Sequence, residues 1–229
     1  VPLLDTATLT ALLDQHTERG DAVTLLTTEL TDPTGYGRVI RQADGTVSAV
    51  VEQRDATPAQ RAVREVNAGI YVFDAATLRE GLSGLTSDNA QGELYLTDVV
   101  AAAYRAGAGG AGLLVEDSVL VEGCNDLVQL AALRAEMNRR LLEEWMRRGA
   151  AVVDPGTTSI DVTVTLAPDC RVLPGTGLYG TTAVASRAVV GPGEFTDTSV
   201  GEGAVAGHVV ARGATIQAGA ELAPYTVLT

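Results

Sequence analysis

The sequence contains no lysine, so all sixteen of its Lys-plus-Arg residues are arginines. A lysine that clamps phosphate or forms a Schiff base is therefore excluded within these 229 residues. The 29 acidic residues outnumber the arginines and give a net charge of −13. This charge argues against binding to nucleic acid, which a basic surface normally drives, and against anionic membrane surfaces.

Cysteine and long apolar runs are also scarce. Cys124 and Cys170 are the two cysteines, too few for a disulfide framework or a metal knuckle, which predicts a reducing compartment, the cytoplasm. No apolar run approaches the roughly 20 residues of a membrane span, and the opening VPLLDTATL predicts no signal peptide. With 46% hydrophobic residues, the chain is long enough for one large or two small globular domains.

The first half alternates strand and helix patterns, which favours an α/β sheet with helices packed on it. An Asp-Gly pair predicts a hairpin turn at Ala43-Asp44-Gly45, and Thr57-Pro58 predicts a helix start. We predict strands at residues 22–30, 38–41, 46–52 and 67–73, and helices at residues 74–82 and 96–106.

The spacing of the apolar residues changes after residue 125. Apolar residues then recur every three or four positions from Leu127 to Trp145, and Gly149 follows as a stop signal. We predict one helix over residues 126–148, on the order of 34 Å long at 1.5 Å per residue, and interpret it as a connector between domains.

A six-residue repeat occupies the last third of the chain. Apolar residues recur six apart in two runs: Ile160, Leu166, Val172, Leu178, Val184 and Val190, then Ala204, Val210, Ile216, Leu222 and Leu228. The interval between the runs predicts a two-residue insertion. Repeats of this length indicate a β-helix, whose stacked coils bury the aligned apolar column, and a set of β-hairpins is the alternative.

Five ordered motifs carry a family resemblance: DPTGYGR (32–38), VVEQRDAT (50–57), EVNAGIYVF (65–73), NAQGELYLTD (89–98) and VEGCNDLVQL (121–130). With the long helix and the repeats, this set resembles the bacterial bifunctional N-acetylglucosamine-1-phosphate uridylyltransferase / glucosamine-1-phosphate acetyltransferase family. The resemblance implies the C-terminal half of a Rossmann-like nucleotidyltransferase domain at residues 1–125. It further implies a connecting helix at 126–149 and the first coils of a left-handed parallel β-helix at 150–229, which assembles as a homotrimer.

Four residues match ligand contacts of that family. Gly37 corresponds to a glycine whose backbone lies against the sugar, and Glu52 and Asn67 to side chains that hydrogen-bond its hydroxyl and acetamido groups. Asn125 corresponds to a residue that serves both the ligand and the catalytic Mg²⁺. A few placed polar groups suit a neutral sugar, and an amide oxygen suits Mg²⁺.

Each of these residues also has a structural explanation. Gly37 could supply the positive φ of a turn, and Asn125 could cap the long helix. Glu52 could lie on a solvated strand face. Asn67 opens an apolar strand, where polar residues are not expected, so it is the most suggestive of the four on pattern alone.

The resemblance also implies which machinery lies outside these residues. The family's glycine-rich phosphate loop and magnesium aspartate precede the position of Val1, and its acetyl-transfer residues lie in later coils. We therefore expect a chain truncated at both ends, and we assign no catalytic residue. His208 follows an Ala-Gly pair but precedes the catalytic coils, and His16 lies on an apolar helix face, so both are interpreted as structural.

Three functions remain open. In the first, the whole protein makes UDP-N-acetylglucosamine, a cell-wall precursor, from UTP and N-acetylglucosamine 1-phosphate, and this chain keeps the sugar-binding half and is inactive alone. In the second, the chain is a non-catalytic paralogue that oligomerises or binds sugar nucleotide. In the third, the weakest because its catalytic set is missing, it is a hexapeptide-repeat acyltransferase.

Overall fold

A computed structural model describes all residues, Val1–Thr229. The chain divides into two compact units, Val1–Leu127 and Val128–Thr229, which are described separately. The boundaries predicted for three segments, 1–125, 126–149 and 150–229, stay predictions. None of the helices is both long enough and apolar enough to cross a bilayer.

The first unit is a mixed five-stranded sheet with helices. Its sheet has the order β3-β2-β4-β1-β5, with β1 parallel to β5 and antiparallel to β4. Its strands are β1 (Val23–Glu29), β2 (Arg38–Arg41), β3 (Val47–Val51), β4 (Glu65–Phe73) and β5 (Gly110–Leu114). Its helices are α1 (Thr6–Arg19), α2 (Pro58–Arg61), α3 (Ala75–Ser83) and α4 (Asp98–Arg105), with a 3-10 turn at Ser118–Val121. The predicted α/β class is confirmed.

Local sequence signals explain where several of these elements begin. The Asp5 carboxylate accepts a hydrogen bond from the Thr8 amide at 2.7 Å and so caps α1. Thr57 and Gln60 form a reciprocal capping box at α2. Asp74 caps α3 by accepting from two backbone amides. The hairpin between β2 and β3 turns at the predicted Asp-Gly pair.

The apolar residues of β1 supply both faces of this sheet, because successive side chains of a strand point to opposite sides. Val23 and Leu25 belong to a cluster with Val100 of α4. Leu26 belongs to a second cluster with Leu12 of α1. The sheet therefore has one core on each face, and β1 is buried by both.

The second unit begins one residue into a long helix, α5 (Leu127–Arg147), of 21 residues. The structure confirms one helix, although its apolar stripe is not buried throughout. Leu127 is 81% exposed, whereas Leu133 and Leu142 are buried. Leu141 and Trp145 pack against the core of the second unit, so the C-terminal half of α5 carries the contact.

The rest of the second unit is a parallel β-helix, which confirms the repeat prediction and is consistent with the left-handed form. Its short strands stack into three parallel sheets of five, four and five strands. They are β6 (Ala151–Val152), β7 (Ser159–Ile160), β8 (Thr165–Leu166), β9 (Arg171–Val172), β10 (Thr176–Tyr179), β11 (Ala183–Val184), β12 (Val189–Val190), β13 (Gly193–Thr196), β14 (Ser199–Val200), β15 (Val205–Ala206), β16 (Val209–Arg212), β17 (Thr215–Ile216), β18 (Glu221–Leu222) and β19 (Val227–Leu228).

The predicted six-residue register is correct up to Val190, wrong at Ala204 and Val210, and correct again at Ile216, Leu222 and Leu228. The buried columns continue through Phe195, Val200, Ala206, Ala211 and Ile216. Ala204 and Val210, which the period of six placed in the column, precede column residues instead, and no two-residue insertion is present.

The physical reason for the shift is a shorter coil. One turn takes eighteen residues from Leu166 to Val184 but sixteen from Val200 to Ile216. Two of the three sides therefore lose one residue each. A count of apolar residues misses this change because alanine and valine occupy both the old register and the new one.

Candidate functional site

Gly37 is the last residue of the DPTGYG turn and directly precedes β2. The positive φ of that turn belongs to Gly35, at 89°, and Gly37 has no positive φ. A Cβ atom on Gly37 would lie 2.9 Å from Cγ1 of Val50 and 3.3 Å from Oε1 of Glu52. The position therefore excludes a side chain because of close packing, and the turn explanation for Gly37 is wrong.

Glu52 follows β3 directly and is half-buried, which does not match the alternative of a solvated strand face. Its Oε1 atom lies beside Gly37 and accepts a hydrogen bond from the Thr97 hydroxyl at 3.2 Å. Thr97 is buried at the start of α4. Because Thr97 is fixed by the helix, it restrains one oxygen of the Glu52 carboxylate and leaves the other oxygen available.

Asn67 lies in β4 and is also half-buried. Its backbone N–H donates to the carbonyl of Gly37 at 2.9 Å, which joins the strand to the glycine turn. Its side-chain oxygen accepts from the Gly69 amide at 2.9 Å. Burial raises the pKa of the neighbouring Tyr71 to about 12, a hydrogen bond to Asn67 acts in the opposite direction, and the Glu52 charge adds to the increase.

The structure therefore brings Gly37, Glu52 and Asn67 together. Asn125 is exposed and lies beyond the 3-10 turn at Ser118–Val121. The helix α5 begins at Leu127, two residues after Asn125, and the helix-cap explanation also stays a prediction. The ligand and metal roles of Asn125 stay predictions.

Sequence reasoning missed the residues that support this group. Thr97 contacts Glu52 only because the start of α4 packs near the end of β3, and Tyr71 hydrogen-bonds Asn67 from a position four residues further along β4. A third support is Asp55, whose carboxylate accepts from the Ala90 amide at 2.9 Å and from the Tyr95 hydroxyl at 3.2 Å. Asp55 thereby holds the NAQGELYLTD segment near Glu52. That motif was visible in the sequence, but no pattern singled out its individual residues.

Comparison with known proteins identifies the family. The profile described as "Nucleotidyl transferase" matches residues 3–145, more than half of the chain. The chain belongs to the nucleotidyl transferase family. The bifunctional protein GlmU of Paenarthrobacter aurescens strain TC1 is 53% identical over 229 residues, which is 100% of this chain and 46% of that protein. The GlmU proteins of Kineococcus radiotolerans, at 50%, and Rhodococcus jostii, at 52%, match with the same coverage.

The chain therefore spans a little less than half the length of the curated relatives that it matches. For this nucleotidyl transferase chain, the grouped side chains supply one carboxylate, one amide and a bare glycine backbone. Such groups can hydrogen-bond hydroxyl and amide groups of a neutral ligand while a flat surface packs on the glycine. They are suited to binding and orientation.

The two histidines lie outside this group. Nδ1 of the partly buried His16 is 3.0 Å from the Thr24 hydroxyl, a contact between α1 and β1. His208 occupies an exposed corner of the β-helix with a φ of 56°. Its ring faces that of Tyr225, with the centroids 5.7 Å apart. Both positions are compatible with the structural roles that we expected.

Proposed function

We propose that this chain carries the sugar-binding half of a nucleotidyl transferase that makes UDP-N-acetylglucosamine from UTP and N-acetylglucosamine 1-phosphate, with release of pyrophosphate. The observation that carries the proposal is the close approach of the Glu52 carboxylate to Gly37, a residue with no side chain to separate its backbone from a ligand. Asn67 adjoins Gly37 through its backbone hydrogen bond to the Gly37 carbonyl. A sugar ring against Gly37 would present its hydroxyls to Glu52 and its acetamido group to Asn67.

The chemistry of these groups supports a sugar more than a charged ligand. Glu52 accepts hydrogen bonds from hydroxyls, and a half-buried carboxylate disfavours a second anion close by. A site built to bond a specific polar group also rejects analogues that lack it, because its own groups are left unpaired. The phosphates of the substrate would have to be held by other groups.

Magnesium is part of the proposal, with Asn125 as one ligand. The structure gathers no group of three or more His, Cys, Asp or Glu side chains that could hold a metal. A single amide oxygen does not fit the octahedral coordination that Mg²⁺ demands. The residues present therefore do not make a complete magnesium site, and we derive no step through the metal.

The assembly and location that we propose are a homotrimer formed through the β-helix, in the cytoplasm. Static light scattering on the purified chain tests the assembly. A mass three times that of the 23.6 kDa chain is expected, and a monomer at all concentrations would contradict the trimer.

A calorimetric titration tests the binding proposal. We expect the 229-residue chain to bind UDP-N-acetylglucosamine, and to bind UDP-glucose at least about tenfold more weakly, because UDP-glucose lacks the acetamido group that Asn67 would contact. Equal affinities, or no binding of either, would overturn the assignment of Asn67. In a parallel assay with Mg²⁺, UTP and N-acetylglucosamine 1-phosphate, we expect no measurable turnover by this chain alone.

A further inference from the structure

Arg38 is the largest fully buried side chain of the protein, with 1% of its surface exposed. Its hydrogen bonds go to a carbonyl oxygen and an amide oxygen rather than to a carboxylate. Its Nε atom is buried without a partner. Burial lowers the pKa of this guanidinium, but arginine stays charged in proteins. An arginine in this environment is expensive for folding, so its position needs an explanation.

The hydrogen-bond partners of Arg38 indicate an explanation for its buried position. Its Nη1 atom donates to the carbonyl of Tyr36, the residue directly before Gly37. Its Nη2 atom donates to Oε1 of Gln53, the residue directly after Glu52, at 2.6 Å. One planar guanidinium therefore links the backbone on one side of the proposed sugar contact to the side chain on the other.

We infer that Arg38 is a positioning residue for the sugar site, whose guanidinium fixes the spacing between the Gly37 backbone and the Glu52 carboxylate. The inference rests on the proposed function. An apolar side chain of similar length would fill the same space without burying a charge. It would not hold two acceptors in the rigid geometry of a guanidinium fork.

The spacing is sensitive to small movements. Oε1 of Glu52 is only 3.3 Å from the point where a Cβ of residue 37 would sit. If the two strands moved by a few tenths of an ångström, the position of the carboxylate relative to the Gly37 backbone would change by a comparable distance. Misplacement on this scale changes binding because hydrogen bonds weaken steeply away from their preferred geometry.

Arg41 provides the matched control. It lies at the end of the same strand, β2, and its guanidinium binds the Glu65 carboxylate through two hydrogen bonds, at 2.8 and 2.6 Å. Neither of these bonds involves Gly37, Glu52 or a sequence neighbour of either. A substitution at Arg41 therefore changes a β2 arginine without loosening the proposed clamp.

The experiment compares Arg38→Met, Arg38→Lys and Arg41→Lys by calorimetric titration with UDP-N-acetylglucosamine, at a temperature where all are folded. We expect about tenfold weaker binding for both Arg38 variants, the equivalent of losing one or two buried hydrogen bonds. Arg41→Lys should stay within about twofold of the wild type. Adding Gln53→Glu to Arg38→Lys should recover most of the lost affinity, because the ammonium then gains a carboxylate partner.

Amide hydrogen exchange provides a readout that needs no ligand. The Asn67 N–H donates to the Gly37 carbonyl, so its exchange reports whether that carbonyl stays in place. In Arg38→Met we expect Asn67 to exchange about tenfold faster while the amides that pair β1 with β5 are unchanged. If Arg38→Met does not fold, Gln53→Leu removes one arm of the clamp and should show the same local effect.

The outcomes separate the two proposals. Uniformly faster exchange with unchanged affinity would show that Arg38 only stabilises the fold, and would overturn the inference. If the wild-type chain does not bind UDP-N-acetylglucosamine, the proposed function fails. The exchange of Asn67 then decides separately whether Arg38 fixes the Gly37 carbonyl.

Discussion

The two units of this chain use their sequences in opposite ways. In the second unit, residues with the same environment recur along the chain, and a single cluster of buried side chains runs through the coils. In the first unit, almost every important residue is unique in its surroundings, and two clusters lie on the two faces of one sheet. Each coil of the β-helix repeats the same kind of buried position, whereas each contact of the proposed site occurs once in the first unit.

This difference teaches where each kind of residue can change. A coil can exchange one small apolar residue for another because the coils stacked on either side also stabilise it. The contacts among Gly37, Glu52 and Asn67 have no second copy in the molecule. We therefore expect column substitutions to affect stability, and substitutions in the Glu52 group to affect ligand binding more than stability.

The largest expected effect is that of Phe195→Ala in the β-helix. This side chain is fully buried between Leu178 and Ala211, and the small alanine cannot fill the cavity. The free energy of unfolding should fall by about 3–5 kcal/mol. Trp145, the one tryptophan of the chain, packs on this core, so its fluorescence during urea denaturation measures the effect.

The same measurement checks the corrected register. Val200 is buried in the column, whereas Val210 is only partly buried and lies outside it. We expect Val200→Ala to cost about 2 kcal/mol more than Val210→Ala. Equal costs would favour the register predicted from the sequence, in which Val210 lies in the column after a two-residue insertion.

The next largest effect is expected for Gly37→Ala, which should change ligand affinity as well as stability. The new Cβ would press on Val50 and on the Glu52 carboxylate. We expect UDP-N-acetylglucosamine to bind at least about tenfold more weakly and the free energy of unfolding to fall by about 1–3 kcal/mol. Calorimetry and thermal denaturation measure the two quantities.

Gly35→Asn is the control for that substitution. Gly35 has a φ of 89°, and no heavy atom lies within 4 Å of the point where its Cβ would sit, so the change alters the turn without touching Glu52. Its affinity for the sugar nucleotide should match the wild type. A loss as large as that of Gly37→Ala would mean that the turn, and not the space beside Glu52, controls binding.

Much of the fold could be predicted because the signals are local. The caps at Asp74 and Thr57 and the Asp-Gly hairpin all act within a few residues. Strand β5 was not predicted, since its sequence GAGLL has two glycines and is extended only because β1 pairs with it. The register shift after Val190 was missed for a related reason: the coil length is set by stacking on the previous coil.

The residues of the candidate site also fall into two groups, those that local sequence motifs indicate and those that act through contacts between separate segments. Gly37, Glu52 and Asn67 could be singled out from the ordered motifs, but the reason that residue 37 is glycine appears only in three dimensions. Neither Thr97 nor Arg38 could be singled out, because each acts through a contact between separate segments. A turn glycine and a packing glycine look identical in a sequence.

A smaller effect is expected for Thr97→Val, which removes the hydroxyl that donates to Glu52 and keeps the shape of the side chain. Affinity for UDP-N-acetylglucosamine should fall about fivefold, the equivalent of one ordinary hydrogen bond. Thr28→Val is the matched control, because that hydroxyl donates to the Val115 carbonyl at 2.8 Å and not to Glu52. The control should lose stability and keep its affinity, and the reverse result would contradict the role of Thr97.

The smallest effect concerns acid stability and belongs to α5. Hydrogen bonds from Arg139 and then Arg140 lower the pKa of Glu136 from 4.5 to about 2. A lowered folded-state pKa stabilises the protein above pH 4.5, and this contribution is lost as the pH falls from 4.5 toward 2. Because the pairs are exposed, we expect at most about 1 kcal/mol. Glu136→Gln should therefore flatten the acid side of the urea-denaturation profile slightly, and an unchanged profile would count against the ion pairs.

The shortening of the coils has a consequence for how such a chain can change its length. An eighteen-residue turn and a sixteen-residue turn enclose different perimeters, so a coil stacks well only on a neighbour of similar circumference. The repeats are therefore not interchangeable parts. Near Ile216, a duplication or deletion should be tolerated in steps of sixteen residues, and one of eighteen should push every following side chain out of line. The β-helix can therefore gain or lose one whole turn at a time, and the number of residues in a turn changes along the chain.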